Sequence, residues 1–288
     1  MVKKIKTLVS LTMILLLGLS LMSCGSTSSG NTPSTPNNSQ AEGESQTTTI
    51  KVGASPTPHA EILEAIKPVL TEQNINLEVV VFDDYVLPNE ALDNGELDAN
   101  YFQHQPYLSD FNANKGTDLV SAAAVHYEPM GIYAGQVKSL DEIPDGASIA
   151  VPNDATNEAR ALLLLEQAGL IKVREGAGLE ATAVDIIENP KNIKLQEVEA
   201  AQVSRTLPDV AVGVLNGNYA LVAGLSAKDA LETEDPNSIA AQTFGNILAV
   251  RRGDEGSDTI KALVAALTSD TAKQFIENQY QGSVIPLF

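Results

Sequence analysis

Downstream of residue 48, short apolar runs alternate with longer stretches in which apolar residues recur every three or four positions. This alternation predicts strands and helices in turn. Thr49-Ile50-Lys51-Val52 predicts a strand, broken by Gly53 and by a turn around Pro56 and Pro58. His59 to Gln73 predicts a helix with Ile62, Leu63, Ile66, Val69 and Leu70 on one face. Pro68 lies inside that pattern and predicts a kink or irregular turn, because proline brings no amide donor. Leu77 to Phe82 is near-continuously apolar and predicts a buried parallel strand. A short helix over Asn89–Leu97, an extended piece over Ala99–Phe102, a helix over Gln105–Asn114 and a strand over Leu119–Val125 follow.

The pattern restarts after a turn-rich bridge, Ser139 to Gly146. Ser148–Val151 predicts a strand leading into Pro152-Asn153-Asp154, then a helix over Thr156–Ala168 that Gly169 ends. Further strands are predicted at Ile193–Val198, Asp209–Leu215 and Asn246–Val250, with helices at Ala200–Thr206 and Asn216–Ala223 between them. Helices over Thr259–Leu267 and Thr271–Tyr280 close the chain. Such a sequence implies an α/β protein of two lobes, each a mostly parallel sheet flanked by helices. We expect residues 49–138 in the first lobe, 139–245 in the second, and 246–288 returning to the first. Ligands of such sheets bind near the carboxyl ends of strands, in the crevice between layers or lobes.

The first 48 residues follow other rules. Lys3, Lys4 and Lys6 precede an apolar run from Leu8 to Met22, the layout of a secretory signal over residues 1–23. The run is too short for a confident membrane span of about 20 residues. Leu21-Met22-Ser23-Cys24 resembles a lipobox, in which the cysteine is diacylated and becomes the new N-terminus. Cys24 is the chain's one cysteine, so no internal disulfide competes for it. Residues 24–48 are mostly Ser, Thr, Asn, Pro, Gly and Gln, and predict a flexible leash. The expectation is a lipid-anchored protein on the extracytoplasmic side of a bacterial membrane. Of 18 basic residues the signal removes three, which leaves 15 against 37 acidic ones. That balance excludes nucleic acid as a partner.

Catalytic signatures are missing. The chain has no Gly-x-Ser-x-Gly, phosphate loop, His-Glu-x-x-His or Cys-x-x-Cys, so no enzyme and no cofactor is expected. His59, His104 and His126 could converge on a metal, but their neighbours lack ligand spacing, and none is expected. Four polar clusters suggest binding instead. In Asn153-Asp154-x-Thr156-Asn157-x-x-Arg160, Asn157 and Arg160 share a helix face. The helix start favours an anion, and the guanidinium fork matches a carboxylate. Asp154 as a simple cap is the competing reading. Ala99 to Tyr107 gathers Tyr101, Phe102, His104 and Tyr107, a rim suited to an apolar or thioether side chain. Phe82 to Glu90 contributes Tyr85, with Asn89 read as a cap. Asn216 and Asn246 stand beside apolar strands, where amides hold a ligand's charges or cap helices.

Phe82–Ala91, Asp98–Leu108, Val151–Leu165 and Glu188-Asn189-Pro190-Lys191-Asn192 closely resemble the methionine-binding lipoproteins of the NlpA/MetQ type, and the likeness runs from Thr49 onward. The resemblance implies a two-lobed, type II-like periplasmic-binding-protein fold that delivers a small amino acid to the permease and ATPase subunits of an ABC importer. It implies Tyr85, Phe102, His104 and Tyr107 around a thioether, and Asn157 and Arg160 at the amino-acid end. Asn216 and Asn246 fall in the second lobe's positions, with Asn218 an alternative to Asn216. On this reading Arg160 and the helix after Asn153 take the carboxylate, while Asn216 or Asn246, with Asn157, takes the ammonium. A methionine-containing dipeptide or another small amino acid is the alternative ligand. A surface antigen or adhesin is the alternative function.

Overall fold

The computed structural model describes residues 47–235 and 243–288. The expected signal, Cys24 and nearly all of the leash lie outside the described residues. The first part of the body comprises β1 (Thr48–Ala54), α1 (Glu61–Thr71), β2 (Ile75–Val81), α2 (Leu87–Asp93), β3 (Ala99–His104), α3 (Gln105–Lys115) and β4 (Leu119–Tyr127). Then come β5 (Gly131–Ala134), β6 (Ser148–Pro152), α4 (Ala155–Gln167), β7 (Lys172–Val173), β8 (Ile186–Glu188) and β9 (Lys194–Val198). α5 (Ala200–Thr206), β10 (Val212–Leu215), α6 (Gly217–Val222) and β11 (Ala230–Thr233) follow. The chain ends with β12 (Asn246–Arg251), α7 (Asp258–Leu267), α8 (Asp270–Tyr280) and β13 (Ile285–Pro286). No helix among the described residues is long and apolar enough to cross a membrane.

Two sheets organise these elements. The first has the order β13-β4-β12-β3-β1-β2 and the second β11-β5-β10-β6-β9. Each closes over its own apolar core. Ile50, Val52, Ile62, Ile66, Leu248 and Leu263 pack in the first, and Ile132, Ile149, Leu162, Leu165, Val212 and Val214 in the second. The helix face read from residues 62 to 70 is therefore the one buried.

The chain passes from the first sheet to the second through Glu128-Pro129-Met130 and returns between β11 and β12. β12 inserts between β3 and β4, antiparallel to both. The two crossovers are bonded together: Glu234 N–H donates to the Met130 carbonyl at 3.0 Å, and Met130 N–H donates to Glu234 Oε2 at 2.8 Å.

The structure departs from the sequence reading in four places. Gly131–Ala134, expected in the first lobe, pairs with β10 and β11 in the second sheet, so the crossing comes at residues 128–130 instead of 138. A four-residue strand carries too little periodicity to be seen in the sequence, and the two-residue strands β7 and β13 escaped for the same reason. Both sheets are mixed rather than mostly parallel. β1 pairs in parallel with β2 and β3, and β6 with β9 and β10, but the strands arriving from the other sheet, β5 and β12, run antiparallel to their neighbours. β2 is an edge strand, with Ile75 and Leu77 buried and Asn76 and Glu78 exposed. Finally, α1 runs through Pro68 to Thr71. So near the helix end the missing amide costs a single ladder bond.

Candidate ligand-binding site

A cavity with about 320 Å³ of space unfilled by atoms lies where the two sheets face one another. Tyr85, Phe102, His104, Tyr107, Asn157, Arg160, Asn216 and Asn246 all line it, so these eight ligand-site candidates converge there. Asn218, the alternative to Asn216, lines it as well, and Gln103, Glu128 and Gly217, which the sequence reading did not place there, complete the wall.

One end of the cavity is aromatic. β3 ends in Phe102, Gln103 and His104, and α3 starts at once, which puts Tyr107 one turn along. His104 caps that helix: its Nδ1 accepts the Tyr107 amide at 3.2 Å. Tyr85 packs against Phe102 and Tyr107 with ring centroids 5.7 Å apart in both pairs, and against Tyr219 at 4.9 Å. The Tyr107 hydroxyl donates to the Tyr85 carbonyl at 3.1 Å. Behind this wall Asn89 is no cap. Its Nδ2 donates to Gln103 Oε1 at 2.8 Å, and its Oδ1 accepts from Asn100 and Gln103, a buried amide cluster that ties α2 to β3.

The other end is polar and spans both lobes. Asp154 caps α4, taking the Asn157 amide at 3.0 Å and the Asn157 side-chain N–H₂ at 2.9 Å. A carboxylate of the chain therefore already holds the start of that helix, and the expected anchorage of a ligand carboxylate there is displaced. His104 Nε2 donates to Asn157 Oδ1 at 3.1 Å, and Asn216 Nδ2 donates to the same oxygen at 2.7 Å. An amide oxygen has two lone pairs, and both are used. Asn157 thus organises His104 and Asn216 and has no free acceptor for an ammonium. Among the described residues that line the cavity, two buried polar atoms stay without partners: Asn216 Oδ1, an acceptor, and Asn218 Nδ2, a donor. Asn218 Oδ1 accepts the Tyr85 hydroxyl at 2.5 Å. The Tyr219 hydroxyl reaches the Asp83 carbonyl at 3.2 Å, a second bond from α6 to the first lobe.

Arg160 is buried and already engaged. Its Nε and Nη2 grip the Glu234 carboxylate at 2.7 and 2.6 Å, and Nη2 also donates to the Glu128 carbonyl at 2.8 Å. The guanidinium lies 4.4 Å from the Phe244 ring centroid and 5.7 Å from that of Tyr127. The fork expected for a ligand is thus spent on Glu234, which leaves Nη1 outside that pair. Burial pushes the Glu234 carboxyl up, but the Arg160 charge and its hydrogen bonds more than offset this and hold it below the usual range. Burial opposes the Arg160 charge too, and Glu234 raises its pKa beyond the ordinary value.

Glu128 is the other buried charge. His126 Nε2 donates to its Oε1 at 2.7 Å, and His59 Nε2 lies 3.3 Å from the same oxygen and 3.0 Å from Asn246 Oδ1. The Tyr101 hydroxyl bonds the other His126 nitrogen. Burial lowers His59 to about 4, with His126 adding to that, while burial alone takes His126 to about 3. Burial and then the Arg160 charge lower His104 to about 3. All three imidazoles are neutral at pH 7, so Glu128 is supported by the His126 hydrogen bond and the nearby Arg160 charge. Burial raises its carboxyl pKa. Gly217 is required beside it: a Cβ there would lie 2.7 Å from Glu128 Cβ.

His59, His126 and Glu128 each place a donor atom within 4.8 Å of the others. The expected trio of His59, His104 and His126 does not form, since His104 turns to Asn157. In the trio that does form, His126 Nε2 is hydrogen-bonded to Glu128 and His59 Nε2 to Asn246, so both imidazole nitrogens nearest the carboxylate are already engaged. Glu128 carried one faint sequence signal, an acid directly after an apolar strand and before Pro129. Glu234 carried none.

The likeness to known proteins covers the whole body. Residues 50–288 match the family model described as NlpA lipoprotein. The D-methionine-binding lipoprotein MetQ of Salmonella typhimurium is 41% identical over 240 residues, 82% of this chain and 87% of that one. A Ruminococcus gnavus protein of known crystal structure is 60% identical with a TM-score of 0.83, over 83% of this chain and 99% of that one. A nutrient binding protein from Burkholderia cenocepacia, solved bound to methionine, is 45% identical with a TM-score of 0.79, over 83% of this chain and 100% of its own. Two sheets, two crossovers and a cavity between them are the architecture of a two-lobed binding protein. The chain belongs to the NlpA lipoprotein family.

Proposed function

We propose that this protein is a lipid-anchored, extracytoplasmic binding protein that holds methionine or a close derivative between its lobes and hands it to an ABC importer. The observation that carries the reading is a cavity with opposite chemistries at its two ends. Three aromatic rings form one end. At the other, an unpartnered acceptor and an unpartnered donor stand beside one buried carboxylate and one buried guanidinium. Burying a zwitterion is unfavourable unless both charges are met, and this set of groups meets both. The ligand-bound Burkholderia relative and the MetQ relatives support the same ligand class.

In this reading the ammonium sits on Glu128 and Asn216 Oδ1, and the carboxylate on Arg160 Nη1 and Asn218 Nδ2. Asn246, whose oxygen is turned to His59, offers its amide N–H₂ and fits the carboxylate. The thioether lies among Tyr85, Phe102, Tyr107 and the edge of His104, where sulfur–aromatic contacts add about 0.3–1.5 kcal/mol. A ligand that touches both lobes favours their closed arrangement, which the transporter then recognises. The role is binding and delivery, without turnover of the ligand.

Mass spectrometry of small molecules released from the purified protein, followed by calorimetry with L- and D-methionine, tests the ligand. Release of an unrelated compound, with no heat from either isomer, would overturn it. Cys24, outside the described residues, is the proposed acylation site. Cys24→Ser should free the body from membrane fractions with its melting temperature unchanged, and continued membrane retention would refute the anchor.

A further inference from the structure

A second cavity adjoins the first and shares Tyr85 and Tyr107 with it. It is open to solvent, with about 640 Å³ of space unfilled by atoms. Tyr219, Val86 and Leu87 form apolar parts of its wall, and Asp84, Asp154 and Glu199 bring three carboxylates. Among the described residues no lysine or arginine lines it. The shared wall is aromatic on both sides, with Tyr85 packed between Phe102 and Tyr107 on one hand and Tyr219 on the other.

This arrangement bears on ligand class, and the inference rests on the methionine reading above. With the amino-acid end held at Glu128 and Arg160, the group beyond the sulfur is directed at the wall shared by the two cavities. We propose that the second cavity continues the ligand site and accepts an alkyl substituent on a positively charged sulfur, so that the protein also takes S-alkyl sulfonium derivatives of methionine. A sulfonium carries a fixed charge and no N–H or O–H donor. Hydrogen bonds therefore cannot recognise it, whereas aromatic faces and nearby carboxylates can. The Asp84 and Asp154 carboxylates are steadied by backbone amides, those of Val86 and Leu87 for Asp84 and that of Asn157 for Asp154. An anionic substituent would face all three acids with no compensating base.

Calorimetry on the full lipoprotein in detergent tests this with L-methionine, S-methyl-L-methionine and S-carboxymethyl-L-homocysteine. The sulfonium should bind within about tenfold of methionine, and the carboxymethyl analogue about a hundredfold or more weaker. Glu199→Lys alters an exposed position outside the first cavity. It should weaken the sulfonium about threefold or more and leave methionine within about twofold. Methionine binding accompanied by a sulfonium more than about a hundredfold weaker would overturn the proposal, as would equal affinity for the cationic and anionic analogues. Equal weakening of methionine and the sulfonium by Glu199→Lys would overturn it too. If methionine itself fails to bind, the ligand reading falls, and that result is distinct from the others.

Discussion

The aromatic and polar ends of the cavity are built on different plans. The aromatic end belongs almost wholly to one lobe. Phe102, His104 and Tyr107 come from one strand-to-helix turn, Tyr85 comes from the turn before α2, and the buried amides of Asn89, Asn100 and Gln103 lock the two together. The polar end is assembled from many places: α4 brings Asn157 and Arg160, α6 brings Asn218 with Asn216 at its N-cap, and the two crossovers bring Glu128 and Glu234. An apolar wall can be preformed within a lobe because packing is local. A charged wall cannot, because each buried charge needs a partner, and here the partners lie on the segments between lobes. The polar end is thereby tied to the crossovers, and Arg160 contacts both of them.

The largest effect should come from removing that tie. Arg160→Ala leaves Glu234 buried without its countercharge, and the ligand-free protein should lose about 3–5 kcal/mol. Affinity for methionine should fall by about 2–5 kcal/mol as well. Denaturant unfolding without ligand checks the first, and calorimetry the second. A variant as stable as the wild type would mean that Arg160 serves the ligand alone.

Glu128→Gln should separate binding from folding. The amide keeps a hydrogen bond with His126 and no longer buries a charge, so stability should hold or rise. The ammonium loses its only anionic partner in the proposed pose, and methionine affinity should fall by about 2–5 kcal/mol. Unchanged affinity would move the ammonium elsewhere.

The aromatic end should act through shape, and more weakly. Norleucine keeps methionine's linear form and leucine does not, so leucine should lose more, within the roughly 1–3 kcal/mol that one methylene is worth in an apolar pocket. Ligand-induced melting shifts at equal concentration rank the three. Phe102→Ala should shrink the gap between methionine and leucine while leaving Arg160's pairing intact. Equal shifts for leucine and methionine in the wild type would mean that the ring wall does not select.

The smallest effect concerns the bond from the aromatic wall to α6. Tyr85→Phe removes the hydroxyl bonded to Asn218 and should cost about 1 kcal/mol. Asn218 would then turn more freely, and methionine affinity should drop by a similar amount. No change in stability or affinity would show that the two ends act independently.

The site was legible to different depths at its two ends. Tyr85, Phe102, His104 and Tyr107 stand in compact motifs at expected strand ends, so the chain order itself announced them. Asn157 and Arg160 were also legible, since helical spacing puts them on one face. Their partners were not: Asn157 is occupied by Asp154, His104 and Asn216, and Arg160 by Glu234, which is 74 residues away. Local spacing cannot reveal a bond closed between distant segments, and so the partners of these two residues are visible only in the tertiary structure.

The sequence by itself determined the order of long strands and helices, the buried helix faces and the list of ligand-facing candidates. Each follows from short-range periodicity or from composition. Only the tertiary structure decided that the sheets are mixed, that the chain crosses at Glu128–Met130, and that Glu128 and Glu234 supply the buried negative charges. Strand direction, crossover position and charge pairing depend on which distant segments come to lie side by side, and the pattern of a single segment carries no record of its neighbours.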